Sequence, residues 1–149
     1  MLVLFIVCIA VGIAGGYLWG YYSRKPETEK ALVTSVIDGD TIQLVNGEVV
    51  RYLGIDTPET GEPYYAEATA KNRELVEGKI VELQSGEHDE DEYGRLLRYV
   101  YVDGVFVNAE LIAQGYARAY IFDSNDRYSQ ALVQLEQYAK MKNCGLWGQ

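Results

Sequence analysis

Three aspartates, a glutamate and an arginine fall within two short runs, Val36-Ile37-Asp38-Gly39-Asp40-Thr41 and Val50-Arg51-Tyr52-Leu53-Gly54-Ile55-Asp56-Thr57-Pro58-Glu59. Carboxylates beside a guanidinium are what chemistry at a phosphodiester with a hard metal ion requires, because the cation takes oxygen ligands and the planar donor fork takes phosphate oxygens. Asp38-Gly39 alone signals only a turn. It is the second run, brought alongside the first by a hairpin, that points to a site.

Asn46-Gly47 between two apolar-rich runs predicts a two-residue hairpin turn. Val45 then faces Glu48, Leu44 faces Val49, Ile42 faces Arg51 and Asp40 faces Leu53. Asp40 and Asp56 leave the hairpin at its open end, where they can share a cation. Strand alternation puts Asp40, Ile42, Leu44, Val49, Arg51 and Leu53 on one side. Arg51 interrupts that apolar stripe, and a half-buried guanidinium needs a carboxylate or a phosphate as partner.

The elements that must hold these residues are short. Leu32, Val33, Val36 and Ile37 suit a first strand, Thr41 to Val45 a second, and Glu48 to Ile55 a third. A helix follows Pro63, with Tyr65, Ala68, Thr69, Asn72, Leu75 and Val76 on one face and Gly78 as its stop. Lys79 to Gln84 alternates as a fourth strand, Glu87 to Glu92 is an acidic, solvated loop carrying the lone His88, and Arg95 to Val102 is a fifth strand ending at Asp103-Gly104. Val107, Leu111 and Ile112 mark a second helix closed by Gly115. Tyr128, Leu132, Leu135 and Ala139 mark a third closed by Gly145. Five strands with inserted helices suggest a small closed barrel of the α+β class.

A chain of 149 residues with 48% hydrophobic content has room for one domain with a real core. From Met1 to Tyr22 no side chain carries a formal charge. As a helix that run extends roughly 33 Å, enough to cross a bilayer. No Lys or Arg precedes it and Ala14-Gly15-Gly16 makes a poor cleavage site, so an uncleaved anchor is expected over 1–22 rather than a signal peptide. Tyr17, Trp19, Tyr21 and Tyr22 suit an aromatic belt, and residues 23–30 read as a polar linker, leaving 31–149 as the domain. Cys8 and Cys144 form no disulfide framework. The formal net charge of −9 argues against broad electrostatic affinity for nucleic acid, so a polyanion must be captured locally, by cations, by a metal, or by both.

The runs VIDGDTIQL, VRYLGIDTPET, DEYGR, YVDGVFVNAELIAQGYA and AKMKNCGLW, in that order, resemble the staphylococcal nuclease (thermonuclease) family across about residues 31–148. The resemblance implies an OB-fold barrel with three helices and a calcium-dependent nuclease acting on DNA and RNA and leaving 3'-phosphate products. By the same resemblance Asp40 and Asp56 are the Ca2+ carboxylates, the backbone carbonyl of Thr57 a third ligand, and Asp38 a support acting through water. Glu59 matches a candidate general base, Arg51 and Arg95 the guanidinium clamp on the scissile phosphate, and Tyr93 and Tyr120 the border of the nucleotide pocket. Calcium is chemically sensible among oxygen donors with no thiolate or imidazole, and an EF-hand is excluded by its missing later ligands.

Glu92 stands where the best-studied family pattern has a lysine, which bears on substrate affinity and end preference. A non-catalytic OB-fold nucleic-acid-binding module is the alternative. Arg24 and Lys25 argue for a cytoplasmic domain, whereas a calcium-dependent nuclease argues for an extracytoplasmic one. The expectation adopted is a monomer on a single-pass anchor with its domain outside.

Overall fold

The computed structural model describes residues 28–122 and 127–148. The expected membrane span 1–22 and the linker as far as residue 27 lie outside the described residues. Among the described residues, no helix is long and apolar enough to cross a membrane.

Strand β1 (Thr28–Val36) pairs antiparallel with both β2 (Thr41–Leu44) and β5 (Ile80–Glu90), and β2 pairs with β3 (Val49–Tyr52). The other end of the sheet is β6 (Leu96–Val102), antiparallel to β5. β3 then meets β6 in parallel, Val50 opposite Leu96, and closes the five strands into a barrel. The barrel is filled by the inward set of each alternating strand, including Val33, Ile42, Leu44, Val50, Val81, Leu83 and Val100, each at most 1% exposed. Each such side chain contributes on the order of 1.5–3 kcal/mol by leaving water. Helices α1 (Tyr65–Val76), α2 (Val107–Ala113) and α3 (Ser129–Met141) pack outside it. This is the five-stranded OB barrel with three helices that the sequence led us to expect. Short strands add to it: β7 (Val105–Phe106) pairs antiparallel with the end of β6, and β4 (Ile55–Asp56) pairs with β8 (Arg118–Ala119) in a separate ladder.

The hairpin register differs by one residue from the expected one. Leu44 N–H donates to Glu48 O and Gly47 N–H to Leu44 O, both at 2.9 Å, so the turn holds three residues, Val45, Asn46 and Gly47. Gly47 sits at φ +88°, the left-handed position that closes a three-residue hairpin loop. Asn46 Oδ1 accepts the Glu48 N–H at 3.1 Å and secures it. Thr41 therefore faces Arg51 and Ile42 faces Val50. Arg51 does not interrupt the apolar stripe: it shares the outer face with Thr41, while Ile42, Leu44, Val50 and Tyr52 go inward.

Three other boundaries move. The third strand does not run to Ile55, because Leu53-Gly54 turns the chain with Gly54 at φ +73° and sends β4 to a new partner. Ile37 falls outside β1, and β1 begins at Thr28, so residues 28–30 pair with β5. Glu87 to Glu90 is not a loop but the tail of β5, which rejoins β6 at Glu90 opposite Leu96 after an irregularity. One reason it can remain a strand is the buried Arg98, whose Nη2 lies 2.7 Å from Asp89 Oδ1 and whose Nη1 donates to Asp89 O at 2.9 Å.

Candidate functional site

Asp38 starts the site by folding its side chain back. Its Oδ1 accepts the Asp40 N–H at 3.0 Å, which curls Asp38-Gly39-Asp40 into a tight turn. Helix α1 clamps that turn from behind: buried Asn72 donates from Nδ2 to Asp38 O and accepts from the Tyr52 hydroxyl, both at 2.9 Å. Burial raises the Tyr52 phenol far above its ordinary value, so it stays protonated as a donor.

The turn delivers Asp40 into the interior. Its side chain is 6% exposed, and Oδ2 accepts the Thr57 N–H at 2.9 Å and Thr57 Oγ1–H at 3.0 Å, while Oδ1 accepts from Thr41 Oγ1 at 3.1 Å. Oδ1 also lies 3.1 Å from Arg51 Nε. Burial pushes the Asp40 carboxyl up to about 6; Arg51 pulls against that rise, Asp38 adds to it, and the Thr57 donors lower it.

Arg51 is the centre of the cluster. Besides Asp40, its guanidinium donates from Nη2 to Asp56 Oδ1 at 3.0 Å, and from Nη1 to Tyr52 O at 2.8 Å and Ile55 O at 2.9 Å. One planar group thus ties the end of β3 to β4 and bridges two carboxylates of opposite exposure, Asp40 at 6% and Asp56 at 42%. The Leu53-Gly54 turn makes this possible, because it swings Ile55 O and Asp56 back over the arginine.

Gly39 is where the backbone has no slack. A Cβ there would lie 2.6 Å from Thr57 Oγ1 and 2.7 Å from Thr57 Cβ. Gly39→Ala is expected to push Thr57 away from Asp40 and lower the melting temperature by several degrees. Thermal unfolding of the variant checks this, and an unchanged melting temperature would refute the close approach.

A cleft of about 720 Å³ opens beside Arg51 and Asp56. Arg95 and Tyr120 also line it, with Leu53 and Leu97 among its apolar lining and Glu87, His88, Glu90, Glu92 and Phe122 among the rest. Arg95 is held by Asp91: Nε lies 2.6 Å from Oδ2, and Oδ1 accepts the N–H groups of Tyr93 at 2.9 Å and Arg95 at 3.0 Å. Burial works to raise the Asp91 carboxyl, but the Arg95 and Tyr93 hydrogen bonds outweigh it and hold it below the usual range.

The structure therefore gathers Asp38, Asp40, Arg51, Asp56 and Thr57 into one hydrogen-bonded cluster and sets Arg95 and Tyr120 along the adjoining cleft. Thr57 addresses Asp40 through its N–H and hydroxyl. Glu59 lies in the turn after buried Pro58, exposed, with its N–H donating to Glu62 Oε2 at 2.8 Å; it is not among the cleft-lining residues. Tyr93 is not among them either: it is 76% exposed and lies under the Arg95 guanidinium, 5.4 Å from ring centroid to Cζ. Four participants escaped the sequence reading. Asn72 was visible only as a polar residue on an apolar helix face, Asp91 as one acid in a run of acids, and Phe122 as an aromatic two residues after Tyr120. His88, expected to be solvated, lines the cleft with its ring edge-on to Phe122 at 6.3 Å.

Among the described residues, no group of three or more His, Cys, Asp or Glu side chains is gathered for a metal. The donors at hand beside Arg51 are the carboxylates of Asp40 and Asp56. That composition fits a hard cation of flexible geometry and not zinc.

Comparison with known proteins identifies the family of the chain. A family model described as "Staphylococcal nuclease homologue" matches residues 49–149, from the first residue of β3 onward, so Asp38 and Asp40 precede the match while Arg51, Asp56 and Arg95 fall within it. The SPbeta prophage-derived endonuclease YokF and the endonuclease YncB of Bacillus subtilis (strain 168) are each 43% identical over 122 residues, 74% of this chain. The alignments span 41% and 58% of those two proteins, so this chain corresponds to only part of their length. A thermonuclease of Staphylococcus intermedius is 34% identical over 128 residues, 80% of this chain and 76% of that protein. A family model matched along most of the described barrel, and a thermonuclease matched over most of its own length, establish that this chain belongs to the staphylococcal nuclease family.

Proposed function

We propose that this chain is a calcium-dependent nuclease that hydrolyses phosphodiester bonds of DNA and RNA and leaves 3'-phosphate ends. The observation that carries the reading is Arg51, bridging Asp40 and Asp56 at the head of a cleft that Arg95 also lines. The printed names of the relatives, endonuclease and thermonuclease, point the same way.

In this reading Asp40 and Asp56 hold the cation, with the Thr57 carbonyl completing the protein's share and Asp38 fixing the turn. Calcium bound there would neutralise charge on the phosphate and polarise it for attack. Arg51 and Arg95 take the phosphate oxygens, on which negative charge grows as the phosphorus becomes five-coordinate. Glu59, carried on the Pro58 turn, accepts a proton from the attacking water. Tyr120 and Phe122 offer faces on which bases stack, which suits single strands or frayed duplex. A monomer on a membrane anchor formed by 1–22, with the domain outside the cytoplasm, completes the proposal.

Plasmid DNA incubated with the protein is expected to be cut in millimolar calcium and spared in chelator, with new 3' ends that phosphatase removes. A folded protein that binds single strands and leaves them intact at saturating calcium would instead be the non-catalytic binding module. The metal assignment has its own pH signature. The Asp40 pKa in the fold, about 6, lies above its ordinary 3.8, so its stabilising contribution is complete below about 3.8 and lost as pH rises through 6. A cation on the ionised carboxylate offsets that loss. The calcium-induced rise in melting temperature is therefore expected to grow between pH 5 and pH 7; a rise that is flat over that window removes Asp40 from the metal site.

A further inference from the structure

Most arginines and lysines on the described surface lie beside a carboxylate, as in the Lys30–Glu82 and Arg73–Glu77 pairs. Arg118 does not. It is exposed and has no carboxylate within ion-pairing distance among the described residues, in a protein whose formal charge is −9. Its position in the fold is specific: in the β4–β8 ladder Arg118 lies directly opposite Asp56. Cross-strand neighbours project to the same face, and the pairing continues as Tyr120 N–H donates to Gly54 O at 3.0 Å. Asp56, Arg118 and Tyr120 therefore share one face, and Asp56 and Tyr120 line the cleft. Arg118 stands one step beyond its rim.

The guanidinium lies within reach of an indole there. Its Cζ lies 5.9 Å from the Trp147 ring centroid, and Lys140 Nζ lies 4.4 Å from the same indole. A ring face attracts a guanidinium while leaving its N–H groups open to an anion. Lys140 is committed to Glu136 at 2.8 Å, so Arg118 is the group with donors to spare. Elsewhere the cleft lining is acidic: Glu87, Glu90 and Glu92 have no ion-pair partner among the described residues. A polyanion lying in the cleft is repelled from that lining and drawn toward the ladder.

We propose that Arg118, beside Trp147, is a phosphate subsite that binds the backbone of the nucleotide flanking the scissile one, so that a polynucleotide leaves the cleft along the β4–β8 ladder. This rests on the nucleic-acid-binding part of the reading above. A single phosphodiester ends short of Arg118; an oligonucleotide reaches it.

The test compares Arg118→Ala with Arg73→Ala, a surface cation on α1, in the full chain. Substrates are thymidine 5'-(p-nitrophenyl phosphate), which carries one diester, and oligodeoxythymidine of about 20 nucleotides. Binding of the oligonucleotide is also followed by fluorescence anisotropy in chelator. Arg118→Ala is expected to lower the ratio of kcat/KM on the oligonucleotide to that on the single diester by roughly three- to tenfold, through KM, and to flatten the slope of log affinity against log salt by about 0.7. Arg118→Lys is expected to restore most of the salt slope, and Arg73→Ala to change neither quantity. An unchanged ratio and slope, an equal loss on both substrates, or the same change in Arg73→Ala would each overturn the subsite. A wild-type protein that binds the oligonucleotide but cuts neither substrate would remove the nuclease reading alone, since the anisotropy and salt slope still decide the role of Arg118.

Discussion

Arg51→Lys is expected to lower kcat/KM on DNA by roughly 10²–10³-fold or more while leaving the protein folded, and Arg51→Ala to lose comparable activity and destabilise the fold as well. The difference follows from what the guanidinium touches. Four acceptors converge on it: Asp40, Asp56, Tyr52 O and Ile55 O, all within 3.1 Å. An ammonium is one compact point charge with three donors and cannot span two carboxylates and two carbonyls at once. It does retain the positive charge that the buried Asp40 faces, so the fold survives. Alanine removes that charge, and breaking a buried ion pair from one side costs on the order of 3–5 kcal/mol. Part of this is recoverable, because Asp40 keeps its Thr57 and Thr41 donors and can take up a proton. Steady-state kinetics and urea unfolding of the two variants check both halves. Lysine with wild-type turnover would remove Arg51 from phosphate contact, and alanine with wild-type stability would mean the Asp40 pair is energetically idle.

Arg95→Ala is expected to produce a similar catalytic loss, about 10²–10³-fold and mainly in kcat, with a stability change of about 1 kcal/mol or less. Here the ion pair is local, four residues apart on one short turn, and the arginine side chain is 33% exposed. Water screens such a pair, and Asp91 keeps the backbone N–H groups of Tyr93 and Arg95 after the guanidinium is gone. On the proposed reading the two arginines are separable by experiment: Arg51→Ala is expected to lose structure and activity together, Arg95→Ala activity with little structure. If Arg95→Ala instead raises KM alone, its contact is equally strong in ground and transition states, and it is a binding group only.

Helix faces were the most legible part of the architecture. The α1 positions Ala68, Thr69, Asn72 and Val76 were expected on the inward face and are buried, because helical periodicity is a local property of side-chain spacing. The hairpin was legible as a hairpin but not in its register. Asn-Gly is compatible with both a two-residue and a three-residue loop, and the choice between them was made by the partners of the strands: in this register Val50 and Tyr52 join Ile42 and Leu44 inside the barrel while Arg51 faces outward. The acidic run was misread for a related reason. Composition marks Glu87 to Glu90 as solvent-loving, yet Arg98, from the neighbouring strand, supplies the countercharge that helps four acidic or polar residues continue a strand.

Residue types and the hairpin signal sufficed to expect Asp40, Arg51 and Asp56 close together, and the structure joins them through the Arg51 guanidinium. What they could not reveal is how the cluster is held. The Asn72 clamp on Asp38 spans 34 residues and the Ile55–Ala119 pairing spans 64, so nothing in local pattern announces either. Alternation and helical period record which way each side chain points from its own backbone. Which distant backbone lies alongside is settled when the barrel closes, β3 against β6, because closure gathers apolar faces from strands far apart in sequence into one core.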